Sequence, residues 1–263
     1  MERTKKYTII TGASSGIGRE IAKAFANRGK NLIVAARRTE KLETLKREIA
    51  EQHLALDVVI RTVDLSALEN IYQFYSSLKG FQLETWVNNA GFGNYDSVAQ
   101  QSLEKIDTML RLNVEALTIL SSLFVRDYKN VPGTQLINLS SCGGYTIVPT
   151  AVTYCATKFY VSTFTEGLAW ELIESGAKMR AKVLAPAATQ TEFGKKANNV
   201  EQYDYDRAFG TYHTSQQVAE FLLRLYDSNF TLGIVDRETF QFELRSPMFP
   251  YANSSTHNQQ PNK

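Results

Sequence analysis

A glycine-rich loop near the start of the chain is the feature that most constrains its fold. The apolar run Tyr7–Thr11 predicts a buried strand, and Ile17–Arg28 has the periodicity of a helix. Gly12, Gly16 and Gly18 lie between them, and glycine permits tight turns and close backbone approaches that a Cβ atom would block. A strand, a tight loop and a helix in this order predict the first βαβ unit of a parallel sheet.

The same alternation of apolar runs and helical stretches continues along the chain. The predicted strands are Tyr7–Thr11, Asn31–Ala36, Asp57–Val63, Thr85–Asn88, Gln135–Ser140, Lys178–Ala185 and Gly233–Val235. The predicted helices are Ile17–Arg28, Glu40–Gln52, Leu65–Lys79, Leu103–Tyr128, Val152–Glu174 and Ser215–Asp227. This pattern is typical of an α/β fold, and we predict a doubly wound parallel seven-stranded sheet with helices on both faces, the Rossmann fold.

The length of 263 residues suits a single domain of this kind, and no repeat or linker divides the sequence. We predict one domain over residues 1–245, which includes a long connection at 186–212, and a polar tail at 246–263. A further alternating run, Thr239–Leu244, could add a strand at the end of the domain.

Charge and composition give no support to several classes of function. The 29 basic and 27 acidic residues give a net charge of +2, which offers no argument for a nucleic-acid partner or an anionic membrane. The two cysteines suggest reduced thiols, and no uninterrupted apolar run approaches membrane-spanning length. The first strand follows Met1–Lys6 with no room for a cleavable signal, so we expect a cytoplasmic protein. We predict no metal site.

The glycine loop also predicts a ligand. Its spacing, Gly-x3-Gly-x-Gly, differs from the commonest dinucleotide fingerprint, and three glycines are most often an ordinary turn. Their place between a strand and a helix favours a phosphate site, because the helix start offers free N–H groups and a positive dipole end. Further on, Arg37 and Arg38 stand where an acidic residue would favour NAD. Two guanidiniums suit a 2′-phosphate, so we predict a preference for NADP(H), with NAD(H) possible; the alternative is two solvated charges at a helix start.

Four polar residues downstream point to proton transfer. Tyr154 and Lys158 are four positions apart on a predicted helix, which places them on one face. A nearby ammonium favours the phenolate and lowers the tyrosine pKa from its usual value of about 10. Ser141 follows the fifth strand, where its hydroxyl could orient a carbonyl oxygen and share developing negative charge. Asn113 is a polar residue within a predicted helix, which needs a reason if it faces the core.

Together these residues resemble the short-chain dehydrogenase/reductase family, over about residues 7–235. The matching motifs are TGASSGIG at 11–18, Asp64-Leu65, Asn88-Asn89-Ala90-Gly91, Asn113, Ser140-Ser141, Tyr154-x3-Lys158 and Pro186-Ala187-Ala188-Thr189-Gln190-Thr191. One motif alone would be unconvincing, but their common order and spacing argue strongly against a chance match. The resemblance implies an NADP-preferring oxidoreductase that reduces a ketone or aldehyde to an alcohol, or the reverse.

The resemblance also implies roles for individual residues. Tyr154 would be the general acid in reduction and the base in oxidation, and Ser141 would hold the substrate oxygen. Lys158 would lower the tyrosine pKa and bind the nicotinamide ribose, and Asn113 would anchor a water that connects the lysine to solvent. The predicted cofactor-binding residues are Gly12, Ser14, Ser15, Gly16, Ile17, Gly18, Arg37, Arg38, Asp64, Leu65, Asn89, Ala90, Gly91, Tyr154, Lys158, Pro186, Thr189 and Thr191.

Loop residues suggest the substrate, and departures from the family pattern bear on assembly. Phe92, Tyr95, Tyr145 and Phe193 lie in loops, so we predict a small carbonyl or alcohol substrate that is apolar or aromatic. The tyrosine-rich connection at 186–212 could be a lid or a packed surface loop. Arg237 replaces a glycine that often follows the family's last strand, so we expect either a homodimer through the two longest helices or the usual homotetramer.

Two other functions remain open at this level. One is reduction of a 3-oxoacyl thioester carried by an acidic acyl carrier protein, which adjacent lysines in the 186–212 connection would meet. The other is an NADP-binding sensor or scaffold without turnover.

Overall fold

The computed structural model describes residues 5–255 of the chain. The strands are β1 (Lys6–Thr11), β2 (Asn31–Ala36), β3 (Val58–Thr62), β4 (Gln82–Asn88), β5 (Gln135–Leu139), β6 (Arg180–Ala185), β7 (Thr189–Gln190), β8 (His213–Thr214), β9 (Leu232–Val235) and β10 (Phe242–Arg245). The helices are α1 (Gly16–Ala26), α2 (Thr39–Gln52), α3 (Leu68–Ser76), α4 (Leu103–Leu110), α5 (Leu117–Tyr128), α6 (Val152–Glu174), α7 (Phe193–Asn198), α8 (Tyr205–Phe209) and α9 (Ser215–Asp227). Residues 256–263 of the predicted polar tail lie outside the described residues.

An eight-stranded sheet forms the centre of the described chain, in the order β10-β9-β6-β5-β4-β1-β2-β3. The seven predicted strands are present and pair in parallel, while β10 pairs antiparallel with β9. The alternating run at 239–244 thus adds a strand, over Phe242–Arg245, and the sheet has eight strands instead of the predicted seven. The doubly wound α/β architecture is confirmed.

Alternate residues of the central strands supply two cores, one on each face of the sheet. On β1, Ile10 belongs to a core with residues of α1, α2 and α9, and Ile9 belongs to a core with residues of α3, α5 and α6. Both isoleucines are fully buried, which is the pattern of a parallel sheet that helices cover on both faces. In the second core, the fully buried Trp86 of β4 contacts the rings of Phe74 and Phe124.

The predicted helix Leu103–Tyr128 contains a π-helical turn at Arg111–Ala116, between α4 and α5. Such turns are rare and often mark functional sites, and Asn113 lies in this one. Within residues 5–255, this stretch is the one helix long and apolar enough to cross a membrane by length and composition alone. Its inward residues, among them Leu120 and Phe124, belong to the second core.

The connection at 186–212 contains regular structure that the sequence did not predict. Strand β7 pairs in parallel with β8, and the short helices α7 and α8 lie between them. The hydroxyl of the buried Tyr205 accepts a hydrogen bond from the Gly194 N–H at 3.0 Å, and its ring contacts those of Tyr203 and Phe209. These elements were missed because each spans too few residues for a helical or strand periodicity to be recognised.

The described part of the predicted polar tail is attached to α6 through Glu166. The backbone N–H groups of Met248 and Phe249 donate to Glu166 Oε2 at 2.7 and 2.9 Å, and the Tyr145 hydroxyl donates to Oε1 at 2.6 Å. The Glu166 side chain is buried, so these donors replace the water that its carboxylate loses on folding.

Lys182 of β6 is buried, and its ammonium closes the C-terminus of α9. It donates to the carbonyl oxygens of Leu225, Tyr226 and Ser228 at 2.6, 3.0 and 2.7 Å. The last carbonyls of a helix lack helical partners, and a cation there also interacts favourably with the helix dipole. We expect Lys182→Met to lower the free energy of unfolding by about 2 kcal/mol, because three carbonyl groups lose a charged donor. The Leu225 and Tyr226 carbonyls keep hydrogen bonds from Ser228 and Gln135, so the largest loss falls on the Ser228 carbonyl.

Urea unfolding followed by circular dichroism would measure this effect. Lys178→Met is the matched control, because Lys178 is an exposed lysine just before the same strand, and we expect it to stay within about 0.5 kcal/mol of wild type. Equal stability of the two variants would contradict the capping role of Lys182.

Candidate active site

The carboxyl ends of the central strands meet around one large cavity of about 740 Å³. This is the edge of a doubly wound sheet at which ligands bind. The predicted site residues that line it are Gly12, Ser14, Ser15, Gly16, Ile17, Arg37, Arg38, Asp64, Leu65, Asn89, Ala90, Gly91, Ser141, Tyr154, Lys158, Pro186, Thr189 and Thr191. Gly18 and Asn113 do not line it, and each instead contacts residues that do.

The glycine loop needs glycine for two separate reasons. Gly12 and Gly16 have φ values of +68° and +55°, in the left-handed region where a Cβ atom is unfavourable. Gly18 is needed for space, because a Cβ there would lie 2.3 Å from Asn89 Nδ2 and 2.5 Å from the Gly12 carbonyl oxygen. Asn89 Nδ2 donates to the carbonyls of Thr11 and Gly12 at 2.9 and 3.2 Å, so it fixes the loop at the start of α1.

Arg38 lies across the mouth of this loop. Its guanidinium donates to the hydroxyls of Ser14 and Ser15 at 3.2 and 2.7 Å, so Ser15 accepts from Arg38 instead of capping α1. Arg37 is 61% exposed at its side chain, and its guanidinium lies 3.8 Å from the Asp64 carboxylate. Two guanidiniums, two hydroxyls and an open helix start form a donor set that fits the phosphates of a dinucleotide cofactor.

The part of the cavity away from Arg38 is lined by Tyr154, Lys158 and Ser141. The first two lie one turn apart on the buried face of α6, as predicted, and Lys158 Nζ is 5.8 Å from the centroid of the Tyr154 ring. Lys158 Nζ donates to the Leu139 carbonyl at 2.9 Å, which ties α6 to the end of β5. Ser141 begins the 3-10 turn after β5, and its Oγ accepts from the Gly143 N–H at 3.0 Å.

Burial shifts the pKa values of the tyrosine and the lysine in opposite directions. It raises the pKa of the Tyr154 phenol, with a smaller contribution from Tyr95, while a hydrogen bond with Ser141 opposes the increase. Burial lowers the pKa of Lys158 to about 8, because desolvation disfavours the ammonium form. The lowering of the tyrosine pKa by Lys158, which the family resemblance implies, stays a prediction.

Asn113 lies directly behind the cavity wall, in the π-helical turn. Its Oδ1 accepts from the Phe92 N–H at 3.2 Å, and its Nδ2 donates to the Phe92 carbonyl at 2.9 Å and to Thr157 Oγ1 at 3.1 Å. The side chain therefore ties α6 to the loop after β4. Its polar atoms have partners within the protein, so a water-anchoring role would fall to its backbone.

An apolar wall adjoins the candidate catalytic residues. Phe92, Tyr95 and Phe193 line the cavity, and the Phe193 ring lies 5.4 Å from that of Tyr154 and 6.2 Å from that of Tyr95, measured between centroids. Tyr145, which we expected in the same group, does not line the cavity. Its hydroxyl donates to Glu166, and its ring stacks on Phe249.

Among the cavity residues that the sequence analysis did not assign to the site are Glu192, Arg237 and Phe240. Glu192 and Phe240 follow no motif, and only the fold brings them to the cavity. Arg237 did carry a signal, since it stands where glycine often follows the family's last strand, but the direction of its side chain could not be derived from that position.

Residues 6–202 match the family model described as short chain dehydrogenase. The matched region covers most of the chain, and the chain belongs to this family. It is therefore an NAD(P)-dependent oxidoreductase that acts on CH–OH groups and the corresponding carbonyls.

Individual relatives agree with this assignment. Dehydrogenase/reductase SDR family member 11 of Gallus gallus is 32% identical over 81% of this chain and 86% of its own length. The Homo sapiens protein of the same name is 31% identical over 81% of this chain and 83% of its own length.

Solved structures show the same fold. A short-chain dehydrogenase from Sphingobium yanoikuyae in complex with NADPH has a TM-score of 0.79 at 27% identity, covering 88% of this chain and 87% of that chain. An alcohol dehydrogenase from the archaeon Thermococcus sibiricus, complexed with 5-hydroxy-NADP, has a TM-score of 0.76 at 25% identity, covering 91% and 98%.

Proposed function

We propose that the protein reduces a ketone or aldehyde to an alcohol, or catalyses the reverse, with NADPH as its preferred cofactor and Tyr154 as general acid/base. The observation that carries the proposal is that Ser141, Tyr154 and Lys158 face the same cavity as the glycine loop. A bound nicotinamide dinucleotide would supply or accept the hydride. The residues of the chain then have to orient the carbonyl and transfer a proton.

Each polar residue has a role that its position supports. The Tyr154 hydroxyl donates a proton to the carbonyl oxygen in reduction and accepts it back in oxidation. The Ser141 hydroxyl donates a hydrogen bond to the same oxygen and shares its developing charge. Lys158 binds the nicotinamide ribose, and its ammonium lowers the pKa of the Tyr154 phenol. Asn113 holds the loop after β4 in place and anchors the water that connects Lys158 to solvent.

The preference for NADP(H) rests on the guanidiniums of Arg37 and Arg38. A 2′-phosphate would receive charge-assisted hydrogen bonds from Arg38 beside Ser14 and Ser15, whereas the ribose hydroxyl of NAD(H) would gain less from a cation. The NADPH and 5-hydroxy-NADP in the two similar structures support the same preference. NAD(H) would bind in the same place with lower affinity.

The substrate would be small and apolar or aromatic. The wall formed by Phe92, Tyr95 and Phe193 adjoins Tyr154, so a substrate carbonyl at the tyrosine would place its substituents against these rings. The connection at 186–212 contributes Phe193, Tyr205 and Phe209 to the cavity and would act as the substrate loop.

We also propose that the protein acts in the cytoplasm as a homo-oligomer. Exposed apolar residues on the two longest helical stretches, Leu103, Leu110, Val152 and Tyr160, would be covered in a homodimer. A homotetramer would require an additional contact. Light scattering during size-exclusion chromatography would distinguish the masses of a monomer, a dimer and a tetramer.

Oxidation of NADPH, and separately of NADH, against aldehydes, ketones, diketones and 3-oxoacyl thioesters tests the proposal. Turnover of free carbonyl compounds, faster with NADPH, would support it. Activity that requires a thioester on an acyl carrier protein would favour the 3-oxoacyl reductase. Tight NADPH binding without turnover across the panel would favour a sensor or scaffold.

A further inference from the structure

A carboxylate from the substrate loop already sits on the predicted phosphate-binding arginine. Glu192 precedes α7, and its Oε1 and Oε2 lie 3.3 Å from Arg38 Nη1 and 2.9 Å from Nη2, as a paired contact. Lys196, one turn along α7, places its Nζ 3.3 Å from Oε2. The Arg38 guanidinium lowers the pKa of the Glu192 carboxyl to about 2, so the group is ionised throughout the neutral range.

The Glu192–Arg38 ion pair lies at the predicted binding site for the 2′-phosphate, the group that distinguishes NADP(H) from NAD(H). Glu192, Arg38, Ser14 and Ser15 all line the same cavity, and the two hydroxyls accept from the guanidinium that contacts the carboxylate. A carboxylate presents two oxygens to a guanidinium in the way that a phosphate does. Two anions on one guanidinium repel each other, so a 2′-phosphate and Glu192 cannot both make their best contacts with Arg38.

We propose that Glu192 is an internal stand-in for the cofactor's 2′-phosphate, which displaces it from Arg38 when NADP(H) binds. This inference rests on the proposed NADP(H) preference and adds a residue that limits it. Glu192 lowers the affinity for the phosphorylated cofactor and leaves the affinity for NAD(H) unchanged, because only the 2′-phosphate competes with it. The displaced carboxylate retains Lys196 as its counterion.

Displacement of Glu192 by the 2′-phosphate also affects the part of the cavity around Tyr154. Phe193 follows Glu192 directly, and its ring contacts Tyr154. A Cβ on Gly93 would lie 2.5 Å from the Phe193 ring, so this ring lies tightly against the loop after β4. Release of Glu192 from Arg38 frees the residue next to this contact, and the substrate loop then responds to the phosphorylated cofactor and not to NAD(H).

The test is calorimetric titration of Glu192→Gln with NADP⁺, NAD⁺, adenosine 2′,5′-bisphosphate and AMP at fixed ionic strength. Glutamine keeps the shape of the side chain and removes its charge. Glu201→Gln is the matched control, because Glu201 is an exposed carboxylate later in the same connection. We expect Glu192→Gln to tighten NADP⁺ and the bisphosphate by at least about fivefold, the effect of one charge at contact distance in water, with NAD⁺ and AMP unchanged.

Three results would overturn the inference. Equal tightening of all four ligands would mean a general effect of net charge, which the control would also produce. Weaker binding of both dinucleotides would mean that Glu192 clasps the loop over the cofactor. Unchanged binding in a protein whose wild type prefers NADP⁺ would mean that Arg38 does not hold the phosphate. Failure of the proposed function is distinct, since the wild type would then bind NAD⁺ at least as tightly as NADP⁺, or bind NADP⁺ without turnover.

Discussion

Tyr154→Phe is expected to lower the turnover of carbonyl substrates by at least about a thousandfold, while NADPH binding stays within about threefold of wild type. Phenylalanine keeps the ring that packs against Phe193 but removes the one proton that the proposed mechanism transfers. Because the proposed cofactor contacts are spread over the glycine loop and the arginines, we expect the loss to fall on the chemical step. Single-turnover oxidation of NADPH and a separate binding titration would measure the two quantities.

Tyr75→Phe is a matched control for this variant. Tyr75 also has a lysine four residues later, Lys79, but its hydroxyl donates to the Leu123 carbonyl and to Asp127, on α5. We expect full turnover and a loss of about 1 kcal/mol in the free energy of unfolding. Undiminished turnover in Tyr154→Phe would show that another group protonates the carbonyl oxygen.

Gly18→Ala is expected to abolish measurable dinucleotide binding and to lower the free energy of unfolding by about 3 kcal/mol. The added Cβ would overlap the Gly12 carbonyl and the amide of Asn89, and neither can move without disrupting the loop that Asn89 fixes. Calorimetric titration with NADP⁺ and urea unfolding would measure the two effects.

Gly167→Ala makes the same chemical change where the structure has room. A Cβ at Gly167 of α6 meets no atom within 4 Å in the described chain, so alanine should stabilise the helix by about 0.5–1 kcal/mol and leave binding unchanged. Wild-type affinity for NADP⁺ in Gly18→Ala would contradict the prediction, because it would show that cofactor binding does not require the close packing of α1 against the glycine loop.

The sequence predicted the fold wherever elements were long enough for their periodicity to register. The seven parallel strands and helix α6, which carries Tyr154 and Lys158, follow from runs of buried residues and from the glycine loop. Strands β7 and β8 span two residues each, and α8 spans five, so they depend on contacts with distant parts of the chain. The ring contacts of Tyr205 with Tyr203 and Phe209 hold α8 in place, and no local pattern predicts them.

In the candidate site, too, residues placed by regular elements were predicted to meet, and Glu192, placed by a loop, was not. Ser141, Tyr154 and Lys158 were predicted to meet because strand ends and helix faces have fixed geometry. Glu192 could not be found in this way, because its contact with Arg38 joins residues that are 154 positions apart through a loop conformation. The prediction that Tyr145 lines the cavity was wrong for a similar reason. Its hydroxyl donates to Glu166, which holds the ring outside the cavity.

The π-helical turn at Arg111–Ala116 can be regarded as a one-residue insertion into an otherwise regular α-helix. One residue more than an α-helix needs shifts the following side chains by about 100° around the axis. Deleting a single residue there would restore regular α-helical geometry. The part of the helix before the deletion, which includes α4, would then rotate relative to α5, and the side chains there would lose their present neighbours. Natural variation should therefore tolerate many substitutions along this helix but very few changes in the number of residues before α5.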